Sequence, residues 1–509
     1  MASPSWHHAP VIFAHGVASG DPLTDRVVIW TRTSREGLVR WVVARNEALT
    51  DVVASGEARA TAATDRTVQV DVEGLEPGTA YRYAFEAGGE RSPIGRTRTL
   101  PTATDHLRFA MVSCAKFNAG FFNAYARIAA REDLDFVLHL GDYIYEVGNK
   151  PPPSQTPGAD IGRPYVPDHE CLTLDDYRAR YAHYHADPDI QALHLAHPLI
   201  ATVDCHEFAD GAWREGSLEH REEAQGPWAD RKAAAFGARW EWLPTRRPDP
   251  ADPFRVWRSV PLGSLADLFL IDTRSHRDEP AQGDAMFAPG RTQLGPVQKA
   301  WLFDGLRTSS APWRLLANSS IMSQAWSEAL PEETRKVLGV VDFLLEDGSE
   351  RDPDQWDGYP LERDEILRRV RQEGIEDLVV LSGDVHIGLV CELKRDPDDP
   401  TEEPVAVEFV TPSLTSQNVD DKMTWGYRTE SPRIERTMLD ALPHMRWVDL
   451  DSHGYVVVDV TPERVRAEWW QVATVLERTD EERLGAAWEV RRGSATPVAV
   501  ETPGGTTRT

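Results

Sequence analysis

Positive charge is in short supply in this 509-residue chain: 55 Lys and Arg stand against 82 Asp and Glu, a formal net charge of −27. A protein that grips a polyphosphate backbone gains affinity from clustered cations, so a nucleic-acid scaffold is excluded as the main task. Cysteine is also scarce. The four present, Cys114, Cys171, Cys205 and Cys391, are too few and too scattered for a disulfide framework. No stretch reaches the roughly 18 uncharged apolar residues of a membrane span, so no transmembrane segment is expected. The opening MASPSWHHAPVIF has neither a basic n-region nor an apolar h-region, so no signal peptide is visible. Disorder is excluded by what is there. Hydrophobic residues make up 41% of the chain, with 17 Trp, 12 Tyr and 15 Phe, enough apolar surface to offset ordering entropy.

Phe13 to Thr99 reads as short alternating strands (VVIWTR, LVRWVVAR, TVQVDVEG, AYRYAFEAGG) punctuated by glycine, which predicts a β-sandwich. Within it, Leu75, Pro77 and Tyr81 have the spacing of a fibronectin-like tyrosine corner, whose hydroxyl bonds to upstream backbone. From Leu107 onward, apolar runs of strand length alternate with helical stretches, the texture of an α/β domain with buried strands. The predicted organisation is a sandwich over residues 10–100, a linker at 101–106, an α/β catalytic domain over 107–485 and a tail at 486–509. Gly148 to Asp168 reads as a lid or specificity loop, with a solvated insertion as the alternative.

The ends of the predicted strands carry the chemistry. RFAMVSC ends at Cys114, DFVLHLGD at Asp142, LIATVDCHE at Asp204 to Glu207, LADLFLIDTR at Asp272 to Arg274 and DLVVLSGDVH at Asp384 to His386. Ligands bind beyond the carboxyl ends of strands in α/β sheets, so five such endings predict one rim. The two Gly-Asp endings, at Asp142 and Asp384, with Tyr145 three residues on and His386 two residues on, point to a mixed oxygen and nitrogen metal site. His206 is a candidate proton donor to a leaving group, and Asp204 and Asp210 are candidate ligands.

These motifs, with GVASGDPLTDRVVIWTR, HLGDYIYE, RKAAAFGARWEWLP, LIDTRSHR, QWDGYPLER, SGDVHIG and EFVTPSLTS in this order, resemble the alkaline phosphatase D (PhoD-like) metallophosphatases of the calcineurin-like superfamily. The resemblance implies a fibronectin-like β-sandwich followed by a four-layer αββα domain. It implies Fe3+ held by Cys114, Asp142 and Tyr145, with Asp142 reaching a neighbouring Ca2+ and Asp384 and His386 completing the centre; Zn2+ or Mn2+ are alternatives at the second position. The family pattern WDDHE followed by Asn is altered here to Val203-Asp204-Cys205-His206-Glu207 with Asp210. Cys205 is read either as a soft ligand or as no ligand.

The reaction this implies is hydrolysis of a small phosphate ester, monoester or diester, by metal-activated water, with His206 protonating the leaving oxygen. Arg274, or Arg277, would clamp the phosphate, a structural ion pair being the other role for each. The rival readings are a phospholipase D-type phosphodiesterase and a non-catalytic binding protein on the same framework. No stable nucleic-acid complex is expected, and protein partners are not specified. Localisation divides between secreted or cell-wall associated, from the resemblance, and cytoplasmic if the chain is complete.

Overall fold

A computed structural model describes residues 12–149 and 161–501, apart from 342, 346–347, 349–350, 398 and 400. Most of the predicted lid loop, residues 150–160, lies outside the described residues.

Two large sheets organise the chain. The first runs in the order Val498–Ala499, Glu482–Arg491, Arg464–Val472, Gly454–Val460, Leu107–Val112, Phe136–His139, Leu199–Ala201, Val17–Gly20, Arg26–Arg32, Thr67–Glu73. The second runs Arg258–Leu262, Ala266–Leu270, Trp313–Ala317, Leu378–Ser382, Ala406–Val410, Gly388–Leu393, Met445–Asp449. The central strands of both are parallel and almost wholly buried, which explains their largely apolar sequences. One hydrophobic core joins the sheets, with Phe109, Phe136 and Leu138 from the first meeting Leu268, Leu315, Leu381 and Phe409 from the second. Burying each such side chain contributes about 1.5–3 kcal/mol. The helices Leu174–His185 and Trp228–Trp242 belong to a second core with the first sheet, and Gly295–Thr308 and Pro360–Gln372 to a third with the other. Thr173 and Asp176 start the first of these helices with a reciprocal capping box.

Sheet pairing crosses two of the predicted boundaries. Gly20 pairs in parallel with Leu199, the Asp21 N–H donates to the Leu199 carbonyl at 2.8 Å, and three N-terminal strands thereby extend the first large sheet. An edge strand left bare would expose unpaired backbone, and Val17–Gly20 covers it. The remaining N-terminal strands, Gly37–Ala44, Val52–Ala60, Ala80–Ala87, Glu90–Arg91 and Gly95–Arg98, form a separate sheet. Within this region the Tyr81 hydroxyl accepts the Glu76 N–H at 2.9 Å, the upstream backbone bond its spacing predicts. At the other end, Glu482–Arg491 runs through residue 486, because Ala486 and Val490 are buried against the sheet; the loop composition starts only at Gly493.

Candidate metal centre

Parallel strands send their carboxyl ends to one side, and the residues just beyond them make the site. Cys114 follows Leu107–Val112, Asp142 follows Phe136–His139, Asp204 follows Leu199–Ala201, and Asp384 and His386 follow Leu378–Ser382. The endings come from both large sheets rather than from one. Cys114, Asp142, Asp384 and His386 have φ values of 59°, 56°, 71° and 62°. Left-handed backbone costs a non-glycine residue about 1–2 kcal/mol, and such strain gathers where a side chain must be aimed. Both Gly-Asp glycines allow close approach: a Cβ on Gly141 would lie 2.4 Å from the Asp204 nitrogen, and one on Gly383 would lie 2.6 Å from Ser113 Oγ.

Among the described residues three sets of donor atoms result, each within 4.8 Å of one another: Cys114, Asp142 and His386; Asp142, Asp204 and Cys205; and Cys205, His206 and Asp210. Asp142 links the first two sets and Cys205 the last two. The residues suit a metal centre. Asp204 is buried and its Oδ2 has no hydrogen-bond partner among the described residues. Burial, reinforced by Asp204, Glu207 and Asp384, pushes the Asp142 carboxyl well above the usual range despite the opposing pull of His206. Burial likewise raises the Cys114 and Cys205 thiols and the Tyr145 phenol, each with nearby carboxylates adding to the effect. Burial pushes the His386 imidazole well below its ordinary value, aided by Lys422 and Lys116, and its Nδ1 faces the Gln417 carbonyl at 3.0 Å. A neutral imidazole, buried thiols and crowded carboxylates are a donor set that cations would relieve.

Two glutamates that the sequence motifs contain, but to which no role was assigned, hold this arrangement. Glu207 accepts the backbone N–H groups of Asp142 at 3.0 Å, Tyr143 at 2.6 Å and Asp204 at 2.7 Å, pinning two strand-end turns together. Glu146 lies 2.7 Å from His206 Nδ1 and accepts the Asp210 N–H at 2.8 Å. Their signal in the sequence is position: Glu207 is three residues after Asp204 and closes a capping box around Cys205–Glu207. The Tyr145 ring lies against His206, centroids 4.0 Å apart, and its hydroxyl accepts from Ser416 Oγ at 2.5 Å.

Arg274 lies among three carboxylates. The fully buried guanidinium donates to Asp204 through Nε, to Asp354 Oδ2 at 2.5 Å through Nη1 and to Asp384 Oδ2 at 2.5 Å through Nη2. All three nitrogens are paired with carboxylates, the arrangement of the structural ion pair that the sequence offers as the other role. Arg277 is equally buried and pairs with Asp354. Asp384 also accepts from Gln355 Nε2 at 2.6 Å, which places it beside the donor sets and tied to Arg274.

Comparison with known proteins agrees with these motifs. The family model described as PhoD-like phosphatase matches residues 109–469, and its N-terminal domain model matches residues 1–101. Alkaline phosphatase D of Bacillus subtilis (strain 168) is 33% identical over 493 residues, covering 92% of this chain and 78% of that protein. A solved structure titled "Structure of PhoD" superposes with a TM-score of 0.84 at 30% identity, covering 99% of this chain and 95% of the other. The chain belongs to the PhoD-like phosphatase family and is a hydrolase acting on phosphoric esters.

Proposed function

We propose that the strand-end cluster hydrolyses small phosphate esters with the help of two metal ions, Fe3+ at Cys114, Asp142, Tyr145 and His386 and a divalent ion shared through Asp142 with Asp204, Asp210 and Asp384. The divalent ion is Ca2+ by resemblance, Zn2+ or Mn2+ being the alternatives. The observation that carries this reading is the Cys114, Asp142 and His386 donor set, held within 4.8 Å on three left-handed turns. When bound, the cations supply charge to the phosphoryl oxygens and acidify water, which is most of what phosphoryl transfer requires.

The chain's own residues do the rest. Asp142 presents its carboxylate between the donor sets, with the His206 N–H on Oδ1 at 3.2 Å and Glu207 holding its backbone. Burial alone would depress the His206 imidazole, yet Glu146, Asp142 and Asp210 together hold it well above the ordinary range. A proton is therefore kept on the ring, and with Nδ1 held by Glu146 the Nε2–H is the one available to a leaving alkoxide. The architecture fits the four-layer αββα class, preceded by a fibronectin-like sandwich whose inner strands have joined the catalytic sheet.

The test is turnover of p-nitrophenyl phosphate beside bis-p-nitrophenyl phosphate by protein loaded with Fe, Ca, Zn or Mn. Hydrolysis of either ester that is lost on chelation and regained on reloading supports the reading. Turnover that persists in fully chelated protein refutes metal assistance.

A further inference from the structure

Cys205, like Asp142, belongs to two of the three donor sets, and its surroundings are unlike those of a structural thiol. Its Sγ donates to Asp210 Oδ1 at 3.6 Å, and one carboxylate oxygen each from Asp142 and Asp204 lies within 4.8 Å of it. Asp142, Asp204 and Cys205 are all buried, and Asp204 Oδ2 has no partner among the described residues. Its Oδ1 accepts from Arg274 and from the Cys205 N–H, so the bare oxygen is the one left for another ligand. His206, in the neighbouring set, is already tied to Glu146 through Nδ1. That leaves two carboxylates and a thiol around one point.

We propose that Asp142, Asp204 and Cys205 form a sulfur-bearing site for a thiophilic divalent cation of the zinc class, adjoining the Cys114, Asp142 and His386 centre through Asp142. This rests on the two-metal reading above and sharpens it, since it fixes the chemistry of the second ion. Ligand atoms around a tetrahedral zinc at 2.0–2.3 Å are about 3.3–3.8 Å apart, so the three donors need close by only about 1 Å. A thiolate selects zinc over calcium, which takes oxygen donors. Binding releases the thiol proton, and Asp210, already accepting that hydrogen, is the group through which it leaves to solvent. Water, substrate or one of the further carboxylates of the two-metal reading, Asp210 or Asp384, would take the fourth position.

The experiment uses the full chain, stripped with chelator and reloaded with two zinc ions. X-ray absorption at the zinc edge should show a mean of one sulfur neighbour per zinc, from Cys114 and Cys205 together. It should fall by half in Cys205→Asp, an all-oxygen replacement. Competition with a chromogenic chelator should show that this variant loses zinc affinity by more than the about 10–100-fold that a lost supporting contact costs, while gaining affinity for calcium. A mean sulfur count that Cys205→Asp leaves unchanged overturns the proposal. So does an unchanged zinc-to-calcium preference in Cys205→Asp. Turnover of p-nitrophenyl phosphate by the unmutated protein is measured in parallel: its absence at full zinc loading counts against the phosphatase reading, whereas the sulfur count alone decides this site.

Discussion

Buried Glu146 and half-buried His206 form a pair at the edge of the metal centre, Oε2 lying 2.7 Å from Nδ1. The other oxygen of the same carboxylate accepts the Asp210 N–H, so Glu146 fixes at once the ring, its tautomer and the turn that carries Asp210. A carboxylate behind an imidazole in this way orients it and stabilises the charged form. Once cations neutralise Asp142, Glu146 is the anion left to hold the proton on His206.

Glu146→Gln should therefore lower kcat for substrates with poor leaving groups by about 10–100-fold, a part of the about 10²–10⁴ that a positioned acid contributes. Turnover of p-nitrophenyl esters, whose leaving group needs little protonation, should fall much less. His206 is raised in the folded protein, so its proton is present at low pH and lost as pH rises through the raised value. The variant should then lose activity at a lower pH than the parent. Identical alkaline limbs in the two pH profiles would show that Glu146 does not act through His206.

Removing Arg274 tests its role as counterion. Arg274→Met leaves Asp204 and Asp384 without their buried partner and should destabilise the metal-free protein by about 3–5 kcal/mol, the usual result of breaking a buried pair. Cations at Asp204 or Asp384 would take over the charge balance, so the loss should shrink when metal is present. Urea melts with chelator and with metal measure the difference. A phosphate clamp predicts the reverse: little change in stability, and a KM that rises.

The strand-end cluster was legible because each predicted buried strand ends in a polar residue at a fixed offset, and apolar runs this long are hard to misplace. The supporting contacts were less so. Arg274 meets Asp354 and Asp384 across 80 and 110 residues, a distance that no local spacing encodes. Glu146 and Glu207 stood inside the motifs, but a glutamate that binds backbone looks the same in sequence as one that faces solvent. The joining of the N-terminal strands to the catalytic sheet depends on Gly20 meeting Leu199, and period-2 alternation states which faces are buried, not which edge is paired.

That junction makes its own prediction. Trp30 is fully buried and its Nε1–H donates to the Glu241 carbonyl at 2.8 Å, while Arg246 grips Asp71 at 2.7 Å and Arg258 grips Asp21 at 2.6 Å. Contacts this extensive should couple the N-terminal region to the rest in one unfolding transition. Trp30→Ala should cost about 3–5 kcal/mol and shift that whole transition. Scanning calorimetry that resolves two transitions, only one of them moved by the substitution, would show the regions to be independent.

Metal and pH should be linked through the buried carboxyls. Burial first, with neighbouring Asp384 adding to it and Arg274 opposing, pushes Asp204 up to about 7. Burial pushes Glu207 up to about 7 as well, against the three N–H groups it accepts. In an unfolded chain such groups titrate at about 4. A folded value above the unfolded one means that the folded state binds more protons between the two. The stability these groups contribute is fully present below about pH 4 and is lost as pH rises through about 7. Metal-free protein should accordingly melt at a lower temperature at about pH 8 than at about pH 5.5. Cations displace those protons and compete with them at acid pH, so metal should raise the melting temperature more at the higher pH than at the lower. Calorimetry of chelated and loaded samples at both pH values gives the two increments. Equal increments would mean that the carboxylates which titrate are not those which bind metal, and would separate the Asp204 side of the cluster from the centre at Cys114 and His386.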